Sequence, residues 1–208
     1  MAYRGPDNDK NATGDCRKRA LRPFPGSFPR PLDTAALDAL ALAYVARFAT
    51  SAARLAAYLQ RKLRERGWDD GAAPDPAATV ARMVERMVDL GFVDDRGFAS
   101  ARAGGLLRRG YGVRRIDETL ARDGIDADIA AEARGSLREA RQAALTFARR
   151  RRLGPFGLGS SPEALDRAVR ERHIAAMMRA GHDLATARVV IDAPDAAAVE
   201  QWVDEDDA

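Results

Sequence analysis

The chain has 208 residues, 46% of them hydrophobic, which suffices for one or two domains with their own cores or for an array of smaller ones. Its 34 Lys and Arg nearly balance its 31 Asp and Glu, and its single cysteine, Cys16, excludes an internal disulfide and a cysteine-based metal site. No apolar run is long enough to cross a bilayer, and the first residues lack the apolar core of a signal peptide. We therefore expect a soluble, cytoplasmic protein without membrane contact.

Charge and composition separate two tails from the body of the chain. Residues 1–32 contain five prolines, seven bases and three acids, a net charge of +4, and no periodicity, which predicts a disordered basic tail. Such a tail either adds charge-driven affinity for a polyanion or has no role beyond its own solvation. Residues 193–208 contain six acids and no base, so we predict an acidic tail over residues 195–208.

Between the tails, apolar residues recur every three or four residues, the spacing of amphipathic helices, and no stretch alternates as a strand does. Helix starts are marked by side chains that can accept a hydrogen bond from the first turn. In chain order these are Asp33 or Thr34, Thr50 or Ser51, Asp75 followed by Pro76, Asp94 or Asp95, Asp126, and Asp183. Gly112 opens a further helix, and Ser160 or Ser161, with Pro162 and Glu163 in a capping box, predicts a long helix that ends at Gly181.

Three helix-ending glycines suggest an internal repeat. Gly67, Gly124 and Gly181 are 57 residues apart in both intervals (124 − 67 and 181 − 124). An apolar residue stands four positions before each of them, as Leu63, Leu120 and Met177. We therefore predict an all-α fold of three tandem three-helix repeats that form an elongated array, straight or curved. The predicted repeats are residues 33–93, residues 94–135 and a divergent third at residues 136–194.

Enzymatic chemistry needs titratable groups in a defined constellation, and the sequence offers none. His173 and His182 are nine residues apart (182 − 173) with no cysteine nearby, a poor spacing for zinc, and we interpret them as structural or surface residues. The glycines of residues 154–159 follow a basic helix end and not a strand, and no Gly-Lys-Ser/Thr motif occurs. We predict a non-enzymatic protein with no catalytic residue, cofactor or metal.

Two arginine clusters are the candidate binding regions. The candidate residues for binding a partner or nucleic acid are Arg102, Arg108, Arg109, Tyr111, Arg114, Arg115, Arg149, Arg150, Arg151 and Arg152. The arginines either meet phosphates or the acidic face of a protein, or only complement helix dipoles, which contributes about 0.3–1 kcal/mol each. Tyr111 either stacks on a base or packs at the corner between two helices.

The central residues carry a family resemblance, in two runs: Gly91-Phe92-Val93-Asp94-Asp95…Phe98-Ala99, and Arg109-Gly110-Tyr111-Gly112…Arg115-Ile116…Glu118…Leu120…Gly124-Ile125. These runs resemble the signature of RecX, the bacterial regulators of the RecA recombinase, and the stretch from Tyr44 to Leu63 resembles the first repeat of that family. The resemblance is weak over residues 136–192, where most of the signature is missing and a glycine-rich loop is added.

The resemblance implies a fold and a function. RecX proteins consist of three tandem three-helix units, bind RecA and its filament on single-stranded DNA, and suppress ATP hydrolysis and strand exchange, so they modulate DNA repair, recombination and the SOS response. By resemblance we expect a regulator that acts on RecA from the filament groove, at filament ends, or both, and by default we expect a monomer. The alternative is a general helical DNA-binding protein that acts directly through its arginine clusters.

Overall fold

A computed structural model describes residues 30–69, 71, 75–157 and 166–205, and helices account for almost all the regular structure of these residues. Within them, the extended pairing is a single bridge between Leu32 and Trp68, and none of the helices is long and apolar enough to cross a membrane. The described residues form a short 3-10 helix at Gly154–Phe156 and ten α-helices: α1 Thr34–Val45, α2 Ala52–Arg66, α3 Pro76–Asp89, α4 Asp95–Arg108, α5 Val113–Arg122, α6 Ala127–Glu132, α7 Leu137–Arg151, α8 Arg167–Arg179, α9 Leu184–Ile191 and α10 Ala196–Asp204. The all-α prediction is confirmed.

The helix starts follow the capping chemistry of the sequence. Of the alternatives, the caps are Asp33, whose carboxylate accepts from the amide of Ala36 at 2.7 Å, then Ser51 and Asp94. The predicted capping box at residues 160–163 lies outside the described residues, and α8 as described begins at Arg167. A capping box is instead formed at the start of α7, where Ser136 and Glu139 bond reciprocally.

Three hydrophobic clusters divide the helices into groups. The first lies among α1, α2 and α3 and contains Leu37, Leu55 and Met87, all fully buried. The second lies among α4, α5 and α6 around Ile116 and Leu120. The third lies among α7, α8, α9 and α10. Helix α7 serves two clusters, since its Ala143 packs in the second cluster and its Ala144 in the third.

The prediction of an acidic tail over residues 195–208 is wrong for the part that the structure describes. Residues 196–204 form α10, capped by Asp195, and Val199 and Val203 are buried against the third cluster. The last group therefore has four helices instead of three. Burial of these two valines stabilises the helix, and its acids also meet arginines of α7, including Arg138, which lies 2.7 Å from Asp204. Residues 206–208 lie outside the described chain.

The middle helices of neighbouring groups meet end to end. The amides of Gly112 and Arg114, at the start of α5, donate to the carbonyls of Ala180 and Gly181, at the end of α8, at 3.0 and 3.1 Å. Likewise Ser51 Oγ, at the start of α2, donates to the carbonyl of Asp123, at the end of α5, at 2.5 Å. Each contact joins the positive end of one helix dipole to the negative end of the next.

The C-terminal end of α2 is covered by the segment before α1. The amide of Leu32 donates to the carbonyl of Gly67 at 2.9 Å, and the amide of Asp69 donates back to Leu32 at 3.0 Å. The side chain of Leu32 is fully buried in the first cluster. Residues 31–33 thus occupy the place where a preceding repeat would dock, and they act as a terminal cap.

Candidate functional site

The corner between α4 and α5 is shaped by two glycines that allow close approach of the backbone. Gly110 has a φ of +84°, and a Cβ there would lie 2.8 Å from the backbone nitrogen of Phe147. A Cβ on Gly112 would lie 2.4 Å from the carbonyl group of Gly181. The residue between them, Tyr111, is thereby fixed half-buried at the junction, in contact with both the second and the third cluster.

A buried histidine supports this corner from the third group. His182 is 4% exposed, and its Nε2 lies 3.1 Å from the carbonyl oxygen of Gly110, with its ring 5.9 Å from that of Phe147. Because a carbonyl oxygen only accepts, Nε2 carries the proton. Burial lowers the pKa of His182, so the neutral ring is favoured. The interpretation of this histidine as structural is confirmed.

A cleft of about 450 Å³ opens beside Tyr111, between the second and third groups of helices. We call it the junction cleft; its lining residues are Tyr111, Phe147, Arg150, Arg151, Leu153, Ala176, Arg179 and Ala180. It brings together residues that the sequence placed in two separate candidate clusters. It also adds Arg179, which sequence reasoning missed. The only local signal for Arg179 was its place in the last turn before Gly181.

The three guanidinium groups of the junction cleft have no carboxylate beside them in the cleft lining. Arg150 donates from Nη1 to the carbonyl of Arg109 at 3.1 Å, which ties the end of α7 to the corner after α4. Arg151 lies over the ring of Phe147, 6.0 Å from its centre. Arg179 is exposed on the last turn of α8. The site is therefore positive, with an aromatic wall.

Two of the candidate arginines form ion pairs that join separate helices of the fold. Arg102 lies 3.3 Å from the largely buried carboxylate of Asp123, which also has Arg54 at 3.6 Å, so this cluster stabilises the junction of the first and second groups. Arg149 pairs with Glu200 of α10 and lies over the ring of Phe156. The structure thus gives both residues packing roles, and neither lines the junction cleft.

The other candidate arginines are exposed on the surface around the corner. Arg115 has Glu118 at 3.5 Å, a weak contact between exposed groups. Arg108 extends back along α4, with its Nη1 3.3 Å from where a Cβ of Gly104 would stand, so the glycine pair leaves room for it. Arg109 and Arg114 present exposed side chains, and Arg152 ends α7 in the left-handed conformation with φ 55°.

Comparisons with known proteins agree on one family. The family model for the second three-helix domain of RecX matches residues 94–133, which run from the cap of α4 to just past the end of α6. A regulatory protein RecX from Myxococcus xanthus strain DK1622 is 31% identical over 169 residues, 79% of this chain and 88% of that protein. Another, from Mycobacterium sp. strain KMS, is 38% identical over 88 residues, 42% of this chain and 44% of its own length.

The fold agrees as well. The crystal structure of RecX from Lactobacillus salivarius superposes with a TM-score of 0.58 at 14% identity, and the match covers 82% of this chain and 96% of that one. This structural match extends the likeness beyond the central runs that carried the resemblance in sequence. On the similarity to the Myxococcus protein over most of both chains, the chain belongs to the RecX family of regulatory proteins.

Proposed function

We propose that this RecX-family protein binds the RecA recombinase and its filament on single-stranded DNA. Binding slows ATP hydrolysis and strand exchange, and in this way the protein modulates DNA repair and recombination. The proposal is supported by the arrangement of the signature residues, which form a corner surrounded by exposed arginines. Arg108, Arg109 and Arg114 project there without an acidic side-chain partner among the described residues.

The charge of this surface suits both components of the filament. Phosphates of DNA and acidic patches of a protein are each attracted to clustered guanidinium groups, which can bond them in a bidentate manner. Arg102 and Arg149 do not add charge to this surface, because Asp123 and Glu200 neutralise them within the fold. The protein acts by occupying a surface, and no catalytic step is part of the proposal.

The test is the DNA-dependent ATPase activity of RecA from the same organism, measured while this protein is added. We expect the rate to fall as the protein approaches a one-to-one ratio with RecA, and strand exchange to fall in parallel. An unchanged rate at equal or higher amounts would refute the proposal.

The alternative is a DNA-binding protein that acts without RecA, which the arginine-lined junction cleft favours. It predicts tight binding to DNA alone that weakens steeply with salt. It also predicts that strand exchange falls only in proportion to the DNA that the protein covers. Inhibition at amounts too small to cover the DNA would exclude the alternative and leave the RecA-directed function.

A further inference from the structure

We propose that the junction cleft holds one nucleotide of single-stranded DNA, with its phosphate among Arg150, Arg151 and Arg179 and its base on the ring of Tyr111. The inference deepens the proposed function, because it assigns a ligand to a defined site on the surface that meets the filament. It rests on three observations: the charge of the cleft, the position of its aromatic ring, and its size.

The charge of the cleft is not balanced within its own lining. Some arginines elsewhere have a carboxylate partner, as Arg96 has Glu132 and Arg134 has Asp117. In the cleft, three arginines converge from α7 and α8, and the lining contains no acid. Like charges brought together in this way repel one another, and a bound anion removes the repulsion. A phosphate accepts bonds from several guanidinium groups at once.

The aromatic wall is held in place before any ligand arrives. Tyr111 lies between two backbone segments that are fixed by close contacts, Gly110 against Phe147 and Gly112 against Gly181. Its ring packs against both clusters and still lines the cleft. A rigid, half-exposed ring beside a positive groove is how proteins bind single strands without reading sequence, since every base has a face to stack.

The size and chemistry of the cleft select a single strand. A volume of about 450 Å³ lies in the usual range for small-ligand sites and admits one nucleotide. Bases inside a duplex are stacked on their neighbours, so they cannot offer a face to Tyr111. With the three arginines on the phosphate, the lining has no amide side chain or carboxylate left to read a base edge, so we expect little preference among sequences.

The first test measures binding of a fluorescent oligothymidylate by anisotropy in the absence of RecA. The cleft variant carries Arg150→Ala, Arg151→Ala and Arg179→Ala. Its matched control carries Arg64→Ala, Arg122→Ala and Arg188→Ala, which remove the same charge from exposed positions outside the cleft. We expect the cleft variant to bind at least about tenfold more weakly, the control to change by no more than about threefold, and the salt slope of the cleft variant to fall by about 0.7 for each lost phosphate contact.

The second test addresses the base. Tyr111→Leu is expected to weaken binding about tenfold, whereas Tyr111→Phe, which keeps the ring and the fold, is expected to retain nearly all of it. An oligonucleotide containing 5-iododeoxyuridine should form a photochemical crosslink to Tyr111, located by mass spectrometry of the full-length protein. Thermal melting of each variant serves as the control for folding.

Three outcomes overturn the inference. The first is a cleft variant that binds DNA like its control, and the second is a crosslink that maps outside the cleft. The third is unchanged DNA binding with loss of RecA inhibition in the cleft variant, which would make an acidic protein segment the occupant. The proposed function fails separately: wild-type protein that binds DNA through the cleft but leaves RecA ATPase unchanged would refute the function and keep the site.

Discussion

Gly112→Ala tests whether the second and third groups of helices are joined as the structure shows. Gly112 has an ordinary φ of −82°, so alanine is tolerated by the backbone and any effect comes from space. Its Cβ would lie 2.4 Å from Gly181 and from the nitrogen of His182, about 1 Å too close for a normal contact. The helices must separate, which stretches the bonds from Gly112 to Ala180 and from Arg114 to Gly181.

Two backbone hydrogen bonds at a buried junction are worth about 1–1.5 kcal/mol each, so we expect a loss of about 2–3 kcal/mol in the free energy of unfolding. For a chain of this size that lowers the melting temperature by about 4–12 °C, measured by circular dichroism. The matched control is Gly105→Ala, whose Cβ would meet only the flexible end of Arg108 at 4.0 Å. It should stabilise α4 by about 1 kcal/mol. Equal melting of Gly112→Ala and wild type would show that the two groups are not in contact here.

Three further substitutions test the terminal cap, the buried histidine and the exposed arginines of α5. Leu32→Asp places an unpaired carboxylate at a fully buried position in the terminal cap, so urea unfolding should show a loss of about 3 kcal/mol or more, and wild-type stability would refute the cap. Burial holds the folded pKa of His182 below its ordinary value of 6.5, so the contribution of the neutral ring to stability is complete above pH 6.5 and declines as pH falls toward the folded pKa. Between pH 7 and pH 5.5, His182→Asn should therefore lose less free energy of unfolding than the wild type does. The same pH dependence of stability in both proteins would contradict this. Arg114→Glu with Arg115→Glu should leave the circular dichroism spectrum intact and weaken inhibition of RecA, whereas loss of helix signal would make these arginines structural.

Local chemistry is what the sequence predicts well. The caps at Asp33, Ser51 and Asp94, and the stops at Gly124 and Gly181, were predictable because each depends on residues within one turn of the helix end. Helix α10 was not predicted, because it depends on contacts with residues that are distant in sequence. The six acids of residues 193–208 dominate the composition there and obscure a short apolar stripe whose partners lie on α7, far away in sequence.

The candidate site was predicted only in pieces. Tyr111 and the pair Arg150 and Arg151 belonged to separate clusters in sequence, and only the packing of α4 on α7 brings them to one cleft. Conversely, the sequence alone does not remove Arg149 from the candidate binding residues, because its partner Glu200 is 51 residues away. A pattern of charges indicates which side chains could bind a partner, and tertiary contacts determine which of them are neutralised within the fold.

We propose that this protein restrains RecA through the arginine-rich surface around Tyr111. The most direct measurement is the rate of ATP hydrolysis by RecA on single-stranded DNA with wild-type protein, the cleft variant lacking Arg150, Arg151 and Arg179, and the charge-matched control. We predict that the wild type and the control slow hydrolysis and that the cleft variant is several-fold less effective. Equal inhibition by all three proteins would contradict the claim that this surface acts, and no inhibition by any would contradict the claim that RecA is the target.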